Sequence, residues 1–360
     1  MKKATITRNK NYRAIVCEGG DQVGKADAIL TFAKKMLDMG VPVTYASFPI
    51  YATPIGVCIR LFLRQGLPDA NFSQEESLKI KMALYALNRL EFMDLLLSRS
   101  KYKDTVILLD RSPYSNAITL AYGIANVEEL KNQEKINELV NYALNLESFM
   151  INKLHTETCV VQMVSEAESW DNVRNEKADI YENQQVQEIS DMTYRLYAEK
   201  AGDGWKQIVT RTKSGWRNRE EIFEDIYRFA EERLGKIVGG KKKMVNLVYE
   251  IGAAEILKSM YKGWELPEGL VTQHLKSIKE NDKDTMHDTA CIIGVQVGIS
   301  TKVVNIKHKA VREAMNYLLD ENPGIFDVLE YFVSKDFVTK FKRGLNGTEI
   351  DRKKTSRRGR

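Results

Sequence analysis

Residues 19–25, with the sequence GGDQVGK, follow the apolar run AIVC at residues 14–17 and precede an alanine-rich stretch with helical periodicity. This order and spacing are typical of a phosphate-binding P-loop between a strand and a helix, although a short match also fits an ordinary glycine-rich turn. In a P-loop, the glycines let successive backbone N–H groups point at phosphate oxygens and the lysine adds a mobile positive charge. The predicted phosphate-binding residues are Gly19, Gly20, Gln22, Val23, Gly24, Lys25, Ala26 and Asp27.

The two positions after Lys25 depart from the usual pattern. Ser or Thr normally follows the lysine, and its hydroxyl binds magnesium. Here Ala26 follows, and Asp27 adds a carboxylate one residue later. The loop is therefore predicted to bind phosphate. It lacks the hydroxyl that would normally bind magnesium.

The composition indicates a globular protein whose 360 residues suffice for two domains. The net charge of +5 lies mostly in the C-terminal part, much of it in residues 352–360, so we do not expect a nucleic-acid partner. Residues 1–13 lack signal-peptide form, and no stretch approaches the roughly 20 apolar residues that span a membrane. A cytoplasmic protein without a membrane partner is expected, with buried free thiols at Cys17, Cys58, Cys159 and Cys291.

The first two thirds of the chain alternate short β-branched runs with longer helical patterns. The predicted strands are residues 15–17, 41–48, 106–109, 158–164 and 207–210. Helical patterns cover residues 25–39, 55–64, 74–100, 115–122, 127–146, 181–202 and 219–234. The alternation predicts an α/β fold with a five-stranded parallel sheet flanked by helices, and ligands at the carboxyl ends of the strands.

A change of pattern near residue 237 predicts a second unit. Residues 1–236 form the predicted P-loop domain, residues 237–244 a linker, and residues 344–360 a basic tail that we expect to be disordered. Between them, residues 245–343 predict a small, mainly α-helical unit. Its helical patterns cover residues 245–261, 270–280, 287–297, 310–320 and 325–341. The sequence does not indicate what this unit does.

Two further motifs suggest how a ligand could be held. FPIYAT, at residues 48–53, ends the second predicted strand. Tyr85 and Arg89 lie four residues apart on a long helix, so they share a face and could bind one ligand by ring stacking and charge. Tyr85 alone would also fit a core aromatic. A buried arginine, however, requires either a ligand or an ion-pair partner.

Charged residues lie in two more segments. DRSPYS, at residues 110–115, ends the third predicted strand; there Asp110 could hold magnesium through water and Arg111 could clamp a phosphate, or the two could form a structural ion pair. The polar segment at residues 166–187 contains Arg174 and Lys177, and it fits a catalytic lid or a solvated loop of mixed charge equally well.

These motifs, in this order, resemble thymidylate kinase, the nucleoside-monophosphate kinase that phosphorylates dTMP to dTDP with ATP. The resemblance covers about residues 12–234. It implies the P-loop kinase fold, ATP and Mg²⁺ as cofactors and dTMP as the substrate. Because members of that family are commonly homodimers, it also implies a homodimer.

The resemblance implies a role for each matching residue. Lys25, Asp110, Arg111 and a lid residue, Arg174 or Lys177, would be catalytic, with Asp110 also serving the magnesium. Asp21 would meet the deoxyribose, Tyr85 would stack on thymine, and Arg89 would hold the base. The implied substrate-binding residues are Asp21, Phe48, Pro49, Tyr51, Tyr85, Arg89, Arg111, Ser115, Tyr181 and Gln187.

Some positions differ from that family and leave two alternatives open. Ile50 and Tyr51 replace an acid–arginine pair found in many members, Gln22 stands where some carry a catalytic arginine, and Ser112 replaces a common tyrosine. An acid–arginine–serine motif also occurs in deoxynucleoside kinases, so a deoxynucleoside or broad-specificity deoxynucleotide kinase is one alternative. Ala26 favours the other, a catalytically weak relative that binds nucleotide and acts through its C-terminal unit.

Overall fold

The computed structural model describes most of the chain. The described residues are 12–20, 23–68, 72–102, 105–154, 158–166, 184–235, 237, 245–248, 251–264, 268–280 and 282–347. Most of the predicted linker and all of the predicted tail beyond residue 347 lie outside these ranges. Among the described helices, none has the length and apolar character needed to cross a bilayer.

The strands are short, and their side chains are mostly buried where they lie at the centre of the main sheet. They are β1 (Arg13–Glu18), β2 (Val43–Ser47), β3 (Val106–Asp110), β4 (Thr158–Ser165), β5 (Trp205–Thr212), β6 (Gly215–Trp216), β7 (Val245–Val248), β8 (Tyr261–Lys262) and β9 (Val303–Val304). Within the described residues, seven of them form one sheet in the order β6–β5–β4–β1–β3–β2–β7. The predicted α/β fold with a mostly parallel sheet is confirmed.

The predicted number of five parallel strands is wrong. Strands β5, β4, β1, β3, β2 and β7 are parallel, and only the two-residue β6 runs antiparallel to its neighbour. The sixth parallel strand, β7, pairs with β2 along Val43 to Ala46, whereas the sequence predicted a helix over residues 245–261. A short apolar run is ambiguous between strand and helix by periodicity alone, and here the edge of β2 offers it hydrogen-bonding partners.

The helices of the first part cover both faces of the sheet. They are α1 (Lys25–Asp38), α2 (Pro54–Gln65), α3 (Gln74–Ser98), α4 (Asn116–Asn126), α5 (Gln133–Leu146), α6 (Ser148–Leu154), α7 (Gln184–Ala201) and α8 (Arg219–Leu234). Helix α3 begins with a capping box between Ser73 and Glu76 and is then buried almost all round. A buried helix of 25 residues brings several polar side chains into the interior.

The C-terminal helices pack onto the same core. They are α9 (Ile251–Met260), α10 (Glu268–Lys279), α11 (Lys283–Ser300), α12 (Lys309–Glu321), α13 (Ile325–Phe332) and α14 (Lys335–Leu345). One hydrophobic cluster contains Phe62 and Leu87 of the first part together with Val297 and Phe337 of the second. Side chains from both predicted units therefore share one core.

The four cysteines carry no disulfide in this structure. Cys17, Cys58 and Cys159 are buried, as the sequence predicted, and Cys291 is partly exposed. Burial raises the pKa of the Cys17 thiol, so it is a poor source of thiolate.

Candidate active site

The glycine-rich loop lies between β1 and α1, and the structure describes it at residues 19–20 and 23–25. Gly19 and Gly24 both have positive φ angles, 131° and 80°. A Cβ on Gly19 would lie 2.4 Å from the Met163 carbonyl oxygen, so close backbone approach also requires glycine there. Helix α1 begins at Lys25, directly after Gly24. Its first backbone N–H groups therefore face the loop, as anion binding requires.

Lys25 is buried beneath this loop. Its ammonium donates a hydrogen bond to the carbonyl oxygen of Gly20. The ring of the exposed Trp216 covers the other side of the loop, since a Cβ on Gly24 would lie 3.0 Å from it. Trp216 was not predicted from the sequence, although its position just after β5 is a signal that could have identified it.

Asp110 and Arg111 lie beside the loop because β3 pairs with β1. Cys17 is in register with Asp110, and the Arg111 N–H donates to the Cys17 carbonyl at 3.0 Å. Arg111 has a φ of 67°, which is uncommon outside glycine and is often found at functional sites. The pairing of these two strands thus places a carboxylate and a guanidinium next to the predicted phosphate cradle.

Asp110 is a suitable oxygen ligand for magnesium. It is buried at the strand end, and its Oδ2 accepts hydrogen bonds from Tyr45 at 3.4 Å and Ser47 at 3.3 Å. Hard carboxylate oxygens are the ligands that Mg²⁺ prefers, usually one or two beside waters and phosphates. Among the described residues no cluster of three or more metal-ligating side chains occurs.

Asp27 faces a cation on another helix. Its Oδ2 lies 2.8 Å from Nε of Arg219 in α8, and both side chains are largely exposed. The Asp27 carboxylate therefore has a cationic partner within the chain, although a pair as exposed as this one interacts weakly. Ala26, directly after Lys25, has no hydroxyl group with which to bind a metal.

Glu18 is a buried carboxyl group that the sequence analysis missed. It ends β1 and accepts hydrogen bonds from Ser112, from Ser115 at 2.7 Å and from Tyr194 at 3.0 Å. Burial raises the pKa of Glu18, and these hydrogen bonds oppose that shift. Ser115, predicted to bind substrate, thus contacts Glu18 here. The position of Glu18, a charged residue at the end of an apolar strand, is the sequence signal that could have identified it.

The loop at residues 48–53 is packed into the protein at several positions. Phe48 is buried and meets Phe92 edge to face at 5.7 Å, while Pro49 remains partly exposed. Tyr51 is also partly exposed, and its ring lies 5.0 Å from that of His287 in α11. The structure therefore brings a C-terminal helix to the predicted substrate loop.

Arg89 has an ion-pair partner within the chain. Its Nε donates to both carboxylate oxygens of Glu147, at 3.0 and 3.1 Å, and both side chains are buried. Asn116 donates to the same carboxylate at 3.1 Å. Burial raises the pKa of Glu147, and the guanidinium opposes the shift. Of the two partners that the sequence allowed for Arg89, the structure supplies the ion pair.

Tyr85 remains near this pair and is only partly buried. Its ring meets Phe62 edge to face at 5.7 Å, and the Arg89 guanidinium carbon lies 6.0 Å from its centre. Six predicted site residues cannot be placed, because their side chains lie outside the described part of the chain: Asp21, Gln22, Arg174, Lys177, Tyr181 and Gln187.

The chain is similar to solved structures, but no match appears at the level of sequence families. No protein-family model matches the chain, and no curated protein sequence matches it. Among solved structures, the chain is similar to the thymidylate kinase of Candida albicans, with 19% sequence identity and a TM-score of 0.43. The alignment covers 62% of this chain and 92% of that one.

Proposed function

We propose that this protein is an ATP-dependent nucleoside-monophosphate kinase that converts dTMP to dTDP. One observation carries the proposal: the pairing of β1 with β3 sets Asp110 and Arg111 beside the glycine-rich loop and Lys25. Phosphoryl transfer needs little covalent chemistry from a protein and depends on positioning and on neutralising oxygen charge. The choice of dTMP rests on the motifs that resemble thymidylate kinase.

The donor nucleotide would lie over the loop at residues 19–25. Backbone N–H groups at the start of α1 would hold the β-phosphate, and Lys25 would leave the Gly20 carbonyl to reach the β- and γ-phosphates. The exposed ring of Trp216 beside Gly24 is suited to stack on adenine. Bound magnesium would neutralise charge on the phosphate oxygens, and Asp110 would hold it.

Arg111 would stabilise charge on the transferring phosphoryl group. Its uncommon backbone conformation sets the start of its side chain at the end of β3, next to the loop. A preorganised cation of this kind costs no reorganisation during the reaction. Arg174 or Lys177 would add a second cation from the lid. Asp21 and Tyr181 would meet the sugar, and Gln187 would bind the substrate just beyond Tyr181.

The acceptor base would stack on the partly exposed ring of Tyr85. The Arg89–Glu147 pair, joined by Asn116, provides a fixed polar group close to that ring. Both carboxylate oxygens of Glu147 already accept from Arg89. The two side chains would therefore act together as one fixed polar group in the pocket. Pro49 and Tyr51 would border the acceptor phosphate.

The proposal is tested by a coupled assay of ATP turnover with a panel of acceptors. The panel contains dTMP, the other deoxynucleoside monophosphates, and thymidine, each with wild type and with Lys25→Ala. We expect the highest kcat/KM with dTMP and a loss of about 10²-fold or more in the variant. Phosphorylation of thymidine but not dTMP would replace the proposal by a deoxynucleoside kinase. Equal rates for wild type and Lys25→Ala would indicate that the chain is not a catalyst.

A further inference from the structure

The loop at residues 48–53 is held in place by a buried side chain of α3. The Ile50 N–H donates to Oδ1 of Asn88 at 2.7 Å, and Nδ2 of Asn88 donates back to the Ile50 carbonyl at 3.2 Å. Asn88 also reaches the Thr53 hydroxyl at 3.1 Å. One amide side chain therefore fixes both backbone groups of Ile50.

Glu91, three residues further along α3, holds the same loop at its far end. Its Oε2 accepts from the Thr53 hydroxyl at 2.7 Å and from Asn88 at 2.9 Å. Thr53 in turn caps α2, since its hydroxyl accepts from the Gly56 N–H at 3.1 Å. Glu91 is fully buried, so its carboxyl group depends on these donors in place of water.

A third donor to the Glu91 carboxyl group comes from the C-terminal part of the chain. Tyr261, in β8, donates its hydroxyl hydrogen to Oε1 of Glu91. Tyr261 is itself fully buried, and its ring packs against Phe337 at 6.1 Å between centres. An unbroken chain of hydrogen bonds therefore runs from Tyr261 through Glu91 to the backbone of residues 50–53.

Helix α11 contacts the same loop from another side. A Cβ on Gly294 would lie 2.8 Å from the Thr53 carbonyl oxygen and 2.4 Å from Val57, so glycine is needed for this close packing. His287 meets the ring of Tyr51, about two turns before Gly294 on the same helix. Two separate C-terminal elements thus support the loop: α11 contacts Tyr51 and Thr53, and β8 acts on Thr53 through Glu91.

We propose that the C-terminal unit completes the acceptor site: Tyr261, acting through Glu91, and helix α11 position the loop at residues 48–53 for the acceptor nucleotide. Binding loops must be held by supporting side chains whose own hydrogen bonds are satisfied, because a shift of about 1 Å in a site lowers activity strongly. Tyr261 does not touch the substrate in this proposal. The proposal rests on the proposed function for its kinetic consequence.

The first test compares Tyr261→Phe with a matched control, Tyr317→Phe. Tyr317 is also a C-terminal tyrosine, but it is exposed. Loss of one hydrogen bond to a buried carboxyl group should raise KM for dTMP by about fivefold or more, with KM for ATP within about twofold of wild type. The control should leave both constants unchanged. Equal effects on dTMP and ATP, in a variant that unfolds at the wild-type temperature, would overturn the proposal.

Hydrogen exchange tests the positioning without any turnover. Peptides that cover residues 48–57 should exchange faster in Tyr261→Phe than in wild type, while those of α1 should not change. Gly294→Ala should give the same result through α11. This second variant tests the proposal even if Tyr261→Phe fails to fold. Unchanged exchange in both folded variants would overturn the proposal. A wild-type protein that phosphorylates no nucleotide would refute the proposed function alone, since the exchange result stands apart from it.

Discussion

At the scale of single residues, three buried ionisable side chains around the candidate site have partners within the chain. Arg89 pairs with Glu147, Glu18 accepts from two serines and a tyrosine, and Glu91 accepts from Thr53, Asn88 and Tyr261. A buried charge without such partners would cost several kcal/mol. The residues around the candidate site are therefore interdependent, and removing one of a pair affects the other.

Arg89→Ala should lower the free energy of unfolding by about 3–5 kcal/mol, because it leaves the Glu147 carboxylate buried without its cation. Urea denaturation of the two proteins gives this difference. The double variant Arg89→Met with Glu147→Leu removes both charges and should recover most of the loss. If Arg89→Ala kept wild-type stability and lost only dTMP binding, Arg89 would be a base-binding residue held loosely by Glu147.

Glu91→Gln should make stability less dependent on pH. Burial raises the pKa of Glu91 to about 7, well above its ordinary value, although three hydrogen bonds oppose the shift. The folded state then holds a proton that the unfolded state releases, so wild type loses stability as the pH rises from about 5 to 7, by at most about 1.4 kcal/mol per pH unit.

Urea denaturation at pH 5, 6 and 7 measures that slope. The exposed Glu313 supplies a control, since Glu313→Gln should keep the wild-type slope. Glu18 and Glu147 also have raised pKa values, but they contribute equally to the pH dependence of stability in wild type and in both variants. The difference in slope between wild type and Glu91→Gln therefore comes from Glu91. Parallel slopes for wild type and Glu91→Gln would contradict the prediction.

Ala26→Ser should lower the magnesium concentration needed for half-maximal turnover, because it restores a metal-binding hydroxyl beside the loop. Asp27→Thr should change KM for ATP by less than about twofold, since its carboxylate is turned to Arg219 and is largely exposed to solvent that screens its charge. A magnesium titration of both variants and wild type measures the effects. If Ala26→Ser were active but needed the same magnesium concentration as wild type, other residues would hold the metal.

At the scale of elements, α3 organises the candidate site. Within one buried helix, Tyr85, Asn88, Arg89 and Glu91 face the predicted base pocket, the loop at residues 48–53 and the C-terminal unit. Successive residues of a helix point in different directions, about 100° apart. A single rigid element can therefore connect three parts of the molecule.

The start of α2 is equally constrained, and Gly56→Ala tests it. A Cβ at Gly56 would lie 2.0 Å from the Ile50 carbonyl oxygen and 2.8 Å from the Tyr51 Cα, both backbone atoms that cannot rotate away. We expect a loss of about 1–3 kcal/mol in the free energy of unfolding. Gly269→Ala, in α10, should instead gain up to about 1 kcal/mol, because no atom of the described residues lies within 4 Å of a Cβ added there. Thermal or urea unfolding separates the two, and equal effects would contradict the packing described.

At the scale of the whole molecule, the C-terminal part shares a sheet and a core with the rest. Strand β7 pairs with β2, and C-terminal side chains pack in the hydrophobic cluster that contains α2 and α3. Removing them would expose apolar side chains on both helices. The exposed surface would include the contact of α11 with residues 53–57.

A fragment of residues 1–235 should therefore fail to fold stably, because about 25 cal/mol is lost for each Å² of apolar surface returned to water. Soluble yield and thermal unfolding by circular dichroism measure this. A fragment of residues 1–347, which keeps every described element, is the control and should unfold like the full chain. Cooperative unfolding of the 1–235 fragment near the wild-type temperature would show that the predicted domain boundary separates independent units.

The sequence by itself determined the parts of this protein that depend on local order. The apolar run at residues 14–17, the glycines and Lys25 predict β1, the loop and α1, because these steps use neighbouring residues. The alternation of strands and helices predicts the parallel sheet. It also predicts that Asp110 and Arg111 lie near the loop, because both segments follow the carboxyl ends of strands.

Only the tertiary structure decided which distant groups meet. Glu147 lies 58 positions from Arg89, and Tyr261 lies 170 positions from Glu91, so no local periodicity relates either pair. The short run at residues 245–248 became a strand because β2 offered it an open edge. Burial removes water as an alternative partner, and the fold alone determines which donor or cation replaces it.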